Sequence, residues 1–155
     1  MTVIACTLIE MAGDSRITGD VIHHVEKVRR INGSVYGVAG DWDACCRFFE
    51  WIEKGGKKPD IASLAFEAME LTPEGIFLWS PTLTRYKTTS QFHAIGGGAL
   101  GAKCLLSIGM SPVDAVAEVA KWCESVGGLT TCLKVNDADT TPIPRTRAAS
   151  PRRIR

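Results

Sequence analysis

The chain predicts an α+β domain of antiparallel hairpins and amphipathic helices, and three stretches carry that prediction. Residues 27–31 and 34–39 are β-prone runs joined by Asn32-Gly33, the pair best suited to a two-residue hairpin turn because both members tolerate positive φ. Residues 64–70 and 76–79 flank Thr72-Pro73-Glu74-Gly75, which reads as a second hairpin. Ser111-Pro112-Val113-Asp114 opens a helix with an N-cap hydroxyl, a proline at the first helical position and an acid in the first turn.

The elements follow in order. Residues 2–9 are apolar and mostly β-branched, which suits a central strand packed on both faces. A turn near Glu10 leads into a short strand ending at Gly13-Asp14-Ser15-Arg16, and residues 17–26 read as a connecting loop. After the Asn32-Gly33 hairpin the second strand meets Ala39-Gly40-Asp41. Residues 43–54 then take helical spacing with Asp41 or Asp43 as N-cap, and Gly55-Gly56 ends the helix. Beyond the second hairpin, residues 83–87 form a further strand. Residues 92–95 form another that runs into Gly96-Gly97-Gly98. Two helices follow at 99–108 and 111–126, the second with an apolar stripe at Val116, Ala120 and Cys123 and a stop at Gly127-Gly128, before a closing strand at 129–135. Residues 1–135 are thus expected to form one domain. Residues 136–155, rich in Pro and Arg, are expected to form a flexible or partner-docked tail, since too little there is apolar to offset the entropy of ordering.

Composition narrows the function. At 155 residues and 45% hydrophobic the chain can bury one sizeable core. Eighteen basic against seventeen acidic residues leave a net charge of +1, so no overall field favours nucleic acid or a membrane surface. The five arginines of residues 145–155 are the exception and suit a contact arm. No charged leader precedes an apolar core, and no run reaches the length of a membrane span, so the expected location is cytoplasmic. The six cysteines lack metal-ligand or disulfide-framework spacing and read as buried, reduced thiols. Adjacent His23 and His24 would diverge on a strand or helix, which argues for a solvated loop over a metal site. Gly96-Gly97-Gly98 satisfies neither dinucleotide nor phosphate-loop spacing, so close backbone passage explains it better than nucleotide. No cofactor is expected.

Four segments together carry a resemblance: Thr2, Gly13-Asp14-Ser15-Arg16, the run KVRRING at 27–33, and VAGD at 38–41. Their order and spacing resemble proteasome β-subunits and the bacterial HslV peptidase. The resemblance implies the four-layer αββα sandwich of N-terminal nucleophile hydrolases, two antiparallel sheets flanked by helices. It implies a threonine endopeptidase in which Thr2, exposed by removal of Met1, is the nucleophile and its own amine the base. Lys27 supplies a fixed cation, Asp14 holds that cation, and the Gly40 backbone N–H receives the oxyanion. Val38 and Trp42 match positions lining the first specificity pocket, and Gly97 lies in the glycine turn beside the substrate. The implied partners are a polypeptide substrate, further copies of the chain in a ring, and an ATPase unfoldase. The chain departs from the pattern at Gly97, where the family carries a serine, and in lacking an evident carboxylate near the last helix end, where Glu124 and Ser125 lie closest. Two readings therefore stand: an active peptidase, or a proteasome-like subunit kept for assembly or binding through its Arg-rich tail.

Overall fold

The computed structural model describes residues 1–137. The tail expected at 136–155 lies outside the described residues from 138 onward.

The elements are β1 (Ile4–Thr7), β2 (Glu10–Gly13), β3 (Arg16–Thr18), β4 (Ile22–His24), β5 (Val28–Ile31), β6 (Ser34–Gly40), α1 (Trp42–Lys54), β7 (Phe66–Thr72), β8 (Gly75–Trp79), β9 (Arg85–Lys87), β10 (Phe92–Ile95), α2 (Ala99–Ser107), α3 (Pro112–Trp122) and β11 (Thr131–Lys134). Two antiparallel sheets dominate, one ordered β10-β1-β2-β11 and the other β5-β6-β7-β8-β9. Strand periodicity assigns the layers. Along β1 and the residue before it, Val3 and Ala5 face α2 and α3, while Ile4 and Cys6 face the other sheet. Along β6, Val35 and Ala39 point into the same intersheet layer, and Tyr36 and Val38 point to α1. Three apolar layers result: helices α2 and α3 on the four-stranded sheet, sheet on sheet, and α1 on the five-stranded sheet. This is the expected αββα sandwich.

Local chemistry explains the junctions. Asn32 and Gly33 take φ of 50° and 84°, the values a primed hairpin turn requires. Asp41 caps α1 by accepting the Ala44 N–H at 3.2 Å, and Ser111 caps α3 by accepting from Asp114 N at 3.2 Å.

Several expectations need correction. Residues 17–26 are not a loop: β3 and β4 pair as an exposed ribbon, with Arg16 opposite His24 and Thr18 opposite Ile22, turning at 19–21. Helix α3 stops at Trp122, before Gly127-Gly128, because Cys123 leaves helical geometry at φ −115°, ψ 102°. Its buried face is Ala115, Val116 and Val119, since Ala120 and Cys123 rotate toward the edge of the layer. All six cysteines are free, but Cys46 and Cys104 are exposed and only Cys6 and Cys45 are buried. Burial pushes the Cys45 thiol up to about 12, leaving it an inert apolar group. Among the described residues no helix is long and apolar enough to cross a membrane.

Candidate active site

Three strand ends converge at one end of the intersheet layer. Thr2 precedes β1, Asp14 follows β2, and Lys27 precedes β5. The β1–β2 register, Ile4 opposite Gly13, sets Val3 beside Asp14; Asp14 N donates to Val3 O at 3.3 Å and Val3 N returns a bond to Asp14 Oδ1 at 3.0 Å. Sheet pairing thus fixes the carboxylate before any charged partner is counted.

Lys27 enters from the other sheet. Its Nζ donates to Thr2 Oγ1 at 2.8 Å, to Asp14 Oδ1 and Oδ2 at 3.2 and 3.1 Å, and to the Arg16 carbonyl. Lys27 and Asp14 are each 2% exposed and Thr2 9%, so the group has little contact with bulk water. An ion pair buried this deeply persists only when its remaining donors and acceptors are satisfied. Asp14 meets that condition: besides Val3 N, its Oδ2 accepts Arg16 N and Gly127 N at 3.2 Å each. Burial holds the Lys27 ammonium below the ordinary lysine range, with the adjacent Asp14 carboxylate acting against that shift. A cation donating directly to a buried hydroxyl lowers the cost of negative charge on that oxygen.

The opposite wall is the strand-to-helix corner. Gly40 ends β6 at φ 113°, and a Cβ there would run into the Ala65 carbonyl, so glycine alone fits the corner. Asp41 N donates to that same carbonyl at 2.7 Å, and α1 begins one residue later. Between the two walls lies a cavity of about 360 Å³ bordered by Thr2, Lys27, Val38, Gly40, Trp42 and Gly97, with Met1 at its edge. Six of the seven residues singled out from the sequence therefore border one space, and Asp14 reaches it through Lys27. Arg16, Ile17 and Thr18 of the ribbon and Cys45 of α1 complete the wall. Cys45 lies one helical turn after Trp42, so the 3.6-residue period would have found it; the ribbon residues became visible only once 17–26 was seen to pair.

Two features of the rim differ from the floor. The Met1 side chain lies across Gly97, in the space a side chain at 97 would take, and its Sδ sits 3.7 Å from Cys123 Sγ. Glu124 turns its backbone carbonyl to Arg16 Nη1 at 2.6 Å, and Ser125 Oγ is 3.5 Å from Cys123 Sγ. Neither residue's described contacts include Thr2 or Lys27.

No protein-family model matches the chain, and no curated protein matches it. Solved structures do. Eukaryotic HslV from Trypanosoma brucei aligns with a TM-score of 0.64 at 14% identity, over 85% of this chain and 98% of its own. The fold is HslV-like. BPH of Thiobacillus denitrificans, solved in complex with epoxomicin, gives the same TM-score and identity over 88% of this chain and 99% of its own. In this HslV-like frame the paired sheets are shared architecture, and chemistry must be argued from the contacts around Thr2.

Proposed function

We propose that the protein is a threonine-type peptidase subunit of a self-assembling, proteasome-like complex, acting through Thr2 once Met1 is removed. The observation that carries this reading is the Lys27 ammonium, buried, donating to Thr2 Oγ1 at 2.8 Å and held by Asp14. A free Thr2 amine has an ordinary pKa of about 7.7–8.0 and so serves as base near neutral pH. It takes the proton from Oγ as Oγ attacks the substrate carbonyl. The tetrahedral oxyanion is received at the Gly40 corner, and the amine passes its proton to the departing peptide nitrogen, leaving an ester on Oγ. Water, deprotonated by the same amine, hydrolyses the ester and restores Thr2. Val38, Trp42 and Cys45 offer an apolar seat for the side chain next to the cleaved bond.

The test is intact mass of the purified protein followed by turnover of a fluorogenic peptide and labelling with epoxomicin, the compound bound to BPH. Loss of Met1, with cleavage and labelling that Thr2→Ala abolishes, supports the reading. Met1 retained on every molecule defeats it.

A second reading rests on Gly97, which brings no hydroxyl to the rim where Met1 lies. It makes the chain a non-catalytic subunit of the same architecture, docked through its Arg-rich tail. It expects assembly that is indifferent to Thr2→Ala and weakened by deleting residues 145–155; unchanged assembly after that deletion removes its support.

A further inference from the structure

The segment between α3 and β11 has no regular structure, yet it supplies one of the amides that complete the Asp14 carboxylate. Whatever fastens it therefore bears on Lys27 and Thr2. Gly127 O accepts Ser15 N and Arg16 N at 3.1 and 3.0 Å, and Leu129 N donates to Ser15 Oγ at 2.9 Å. Ser15 is 7% exposed, and with the Leu129 N–H on one lone pair its own hydroxyl proton needs an acceptor. His24 Nδ1 lies 3.1 Å away, and in the tautomer that carries its proton on Nε2 it accepts that hydroxyl. The ribbon delivers it: His24 sits opposite Arg16 in register, and Val25 N donates to Ser15 O at 2.8 Å. The imidazole and the Ser15 hydroxyl both occupy space that a side chain at Gly128 would claim, so the segment fits closely against them.

We propose that His24 is a positioning residue for the chemistry at Thr2, acting through Ser15 and residues 127–129 on Asp14. This rests on the peptidase reading above. Removing Nδ1 strands the Ser15 proton, the hydroxyl turns to find another partner, and the bond to Leu129 weakens. The Gly127 amide then loosens from Asp14, and the carboxylate that orients Lys27 loses one of its fixed donors.

The experiment uses the full chain with Met1 removed. It reads kcat and KM on a fluorogenic peptide and, separately, hydrogen exchange at the Gly127 and Leu129 amides, which needs no activity. His24→Ala and Ser15→Ala are each expected to lower kcat roughly five- to tenfold with KM changed less than about twofold, and to speed exchange at both amides. The double variant should be no worse than either single one, because both break the same chain of contacts. His24→Asn, whose amide oxygen can stand in for Nδ1, should restore both readouts. Unchanged exchange in His24→Ala overturns the proposal, as does faster exchange with unaltered kcat, or an Asn variant no better than Ala. If the wild-type protein cleaves nothing, the peptidase reading falls. Exchange then decides the fastening alone: speeding in the Ala variant and recovery in the Asn variant support it, and no change overturns it.

Discussion

The floor of the site and its rim are built on different terms. On the floor, the ion pair has its partners: Asp14 accepts three backbone amides and Lys27, and Lys27 reaches Thr2, Asp14 and the Arg16 carbonyl. On the rim, Gly97 offers no side chain, the Cys123 thiol meets Met1 Sδ and Ser125 Oγ, and Glu124 offers Arg16 its backbone carbonyl. The contrast teaches that this chain keeps the costly part of the arrangement, a buried and fully bonded ion pair, while the rim is free of any such constraint. A purely structural subunit gains little from burying Lys27 beside Thr2, since an apolar pair of similar volume is often as stable.

The largest effect that would break this contrast is on the floor. Lys27→Ala should cut turnover by about 10³-fold or more and, by leaving Asp14 buried without its cation, destabilise the fold by roughly 3–5 kcal/mol. Activity assays and urea melts check the two together. A stable variant with wild-type turnover would show that the floor is scaffold. A smaller change belongs to the rim, where Gly97→Ser, measured in Met1-free protein, should raise kcat severalfold, up to about tenfold, without altering stability by more than about 1 kcal/mol. Lower turnover there would mean that the rim needs its open space rather than a hydroxyl. The smallest expected effect lies away from both. Burial and Lys103 hold the His93 imidazole below its usual range, so the unfolded chain takes the proton first as pH falls. Stability from this group is complete above about 6.5 and declines as pH drops through the lowered folded value. His93→Gln should flatten that acid-side slope in pH-dependent melts.

Much of the fold was legible because it is written in short range. The Asn32-Gly33 turn, the alternation along β1 and β6, and the Ser111-Pro112 helix start each lie within a few residues. The β3–β4 ribbon escaped because its three-residue strands are mostly exposed and so carry no apolar period, although Gly19-Asp20 between β-branched neighbours hinted at a turn. The early end of α3 escaped for a different reason. Residues 123–130 leave the helix to bring Gly127 to Asp14, a contact across 113 residues that no local pattern announces. The same holds for the site, since Thr2, Asp14 and Lys27 share no spacing rule, and only the resemblance to proteasome-like chains linked them before the structure brought their atoms together.

The most direct test of the account is mass spectrometry of Met1-free protein treated with epoxomicin. The account predicts one adduct per chain, located on the peptide that begins with Thr2 and missing from Thr2→Ala and Lys27→Ala. A Met1-free chain that stays unmodified, or an adduct elsewhere, would contradict it.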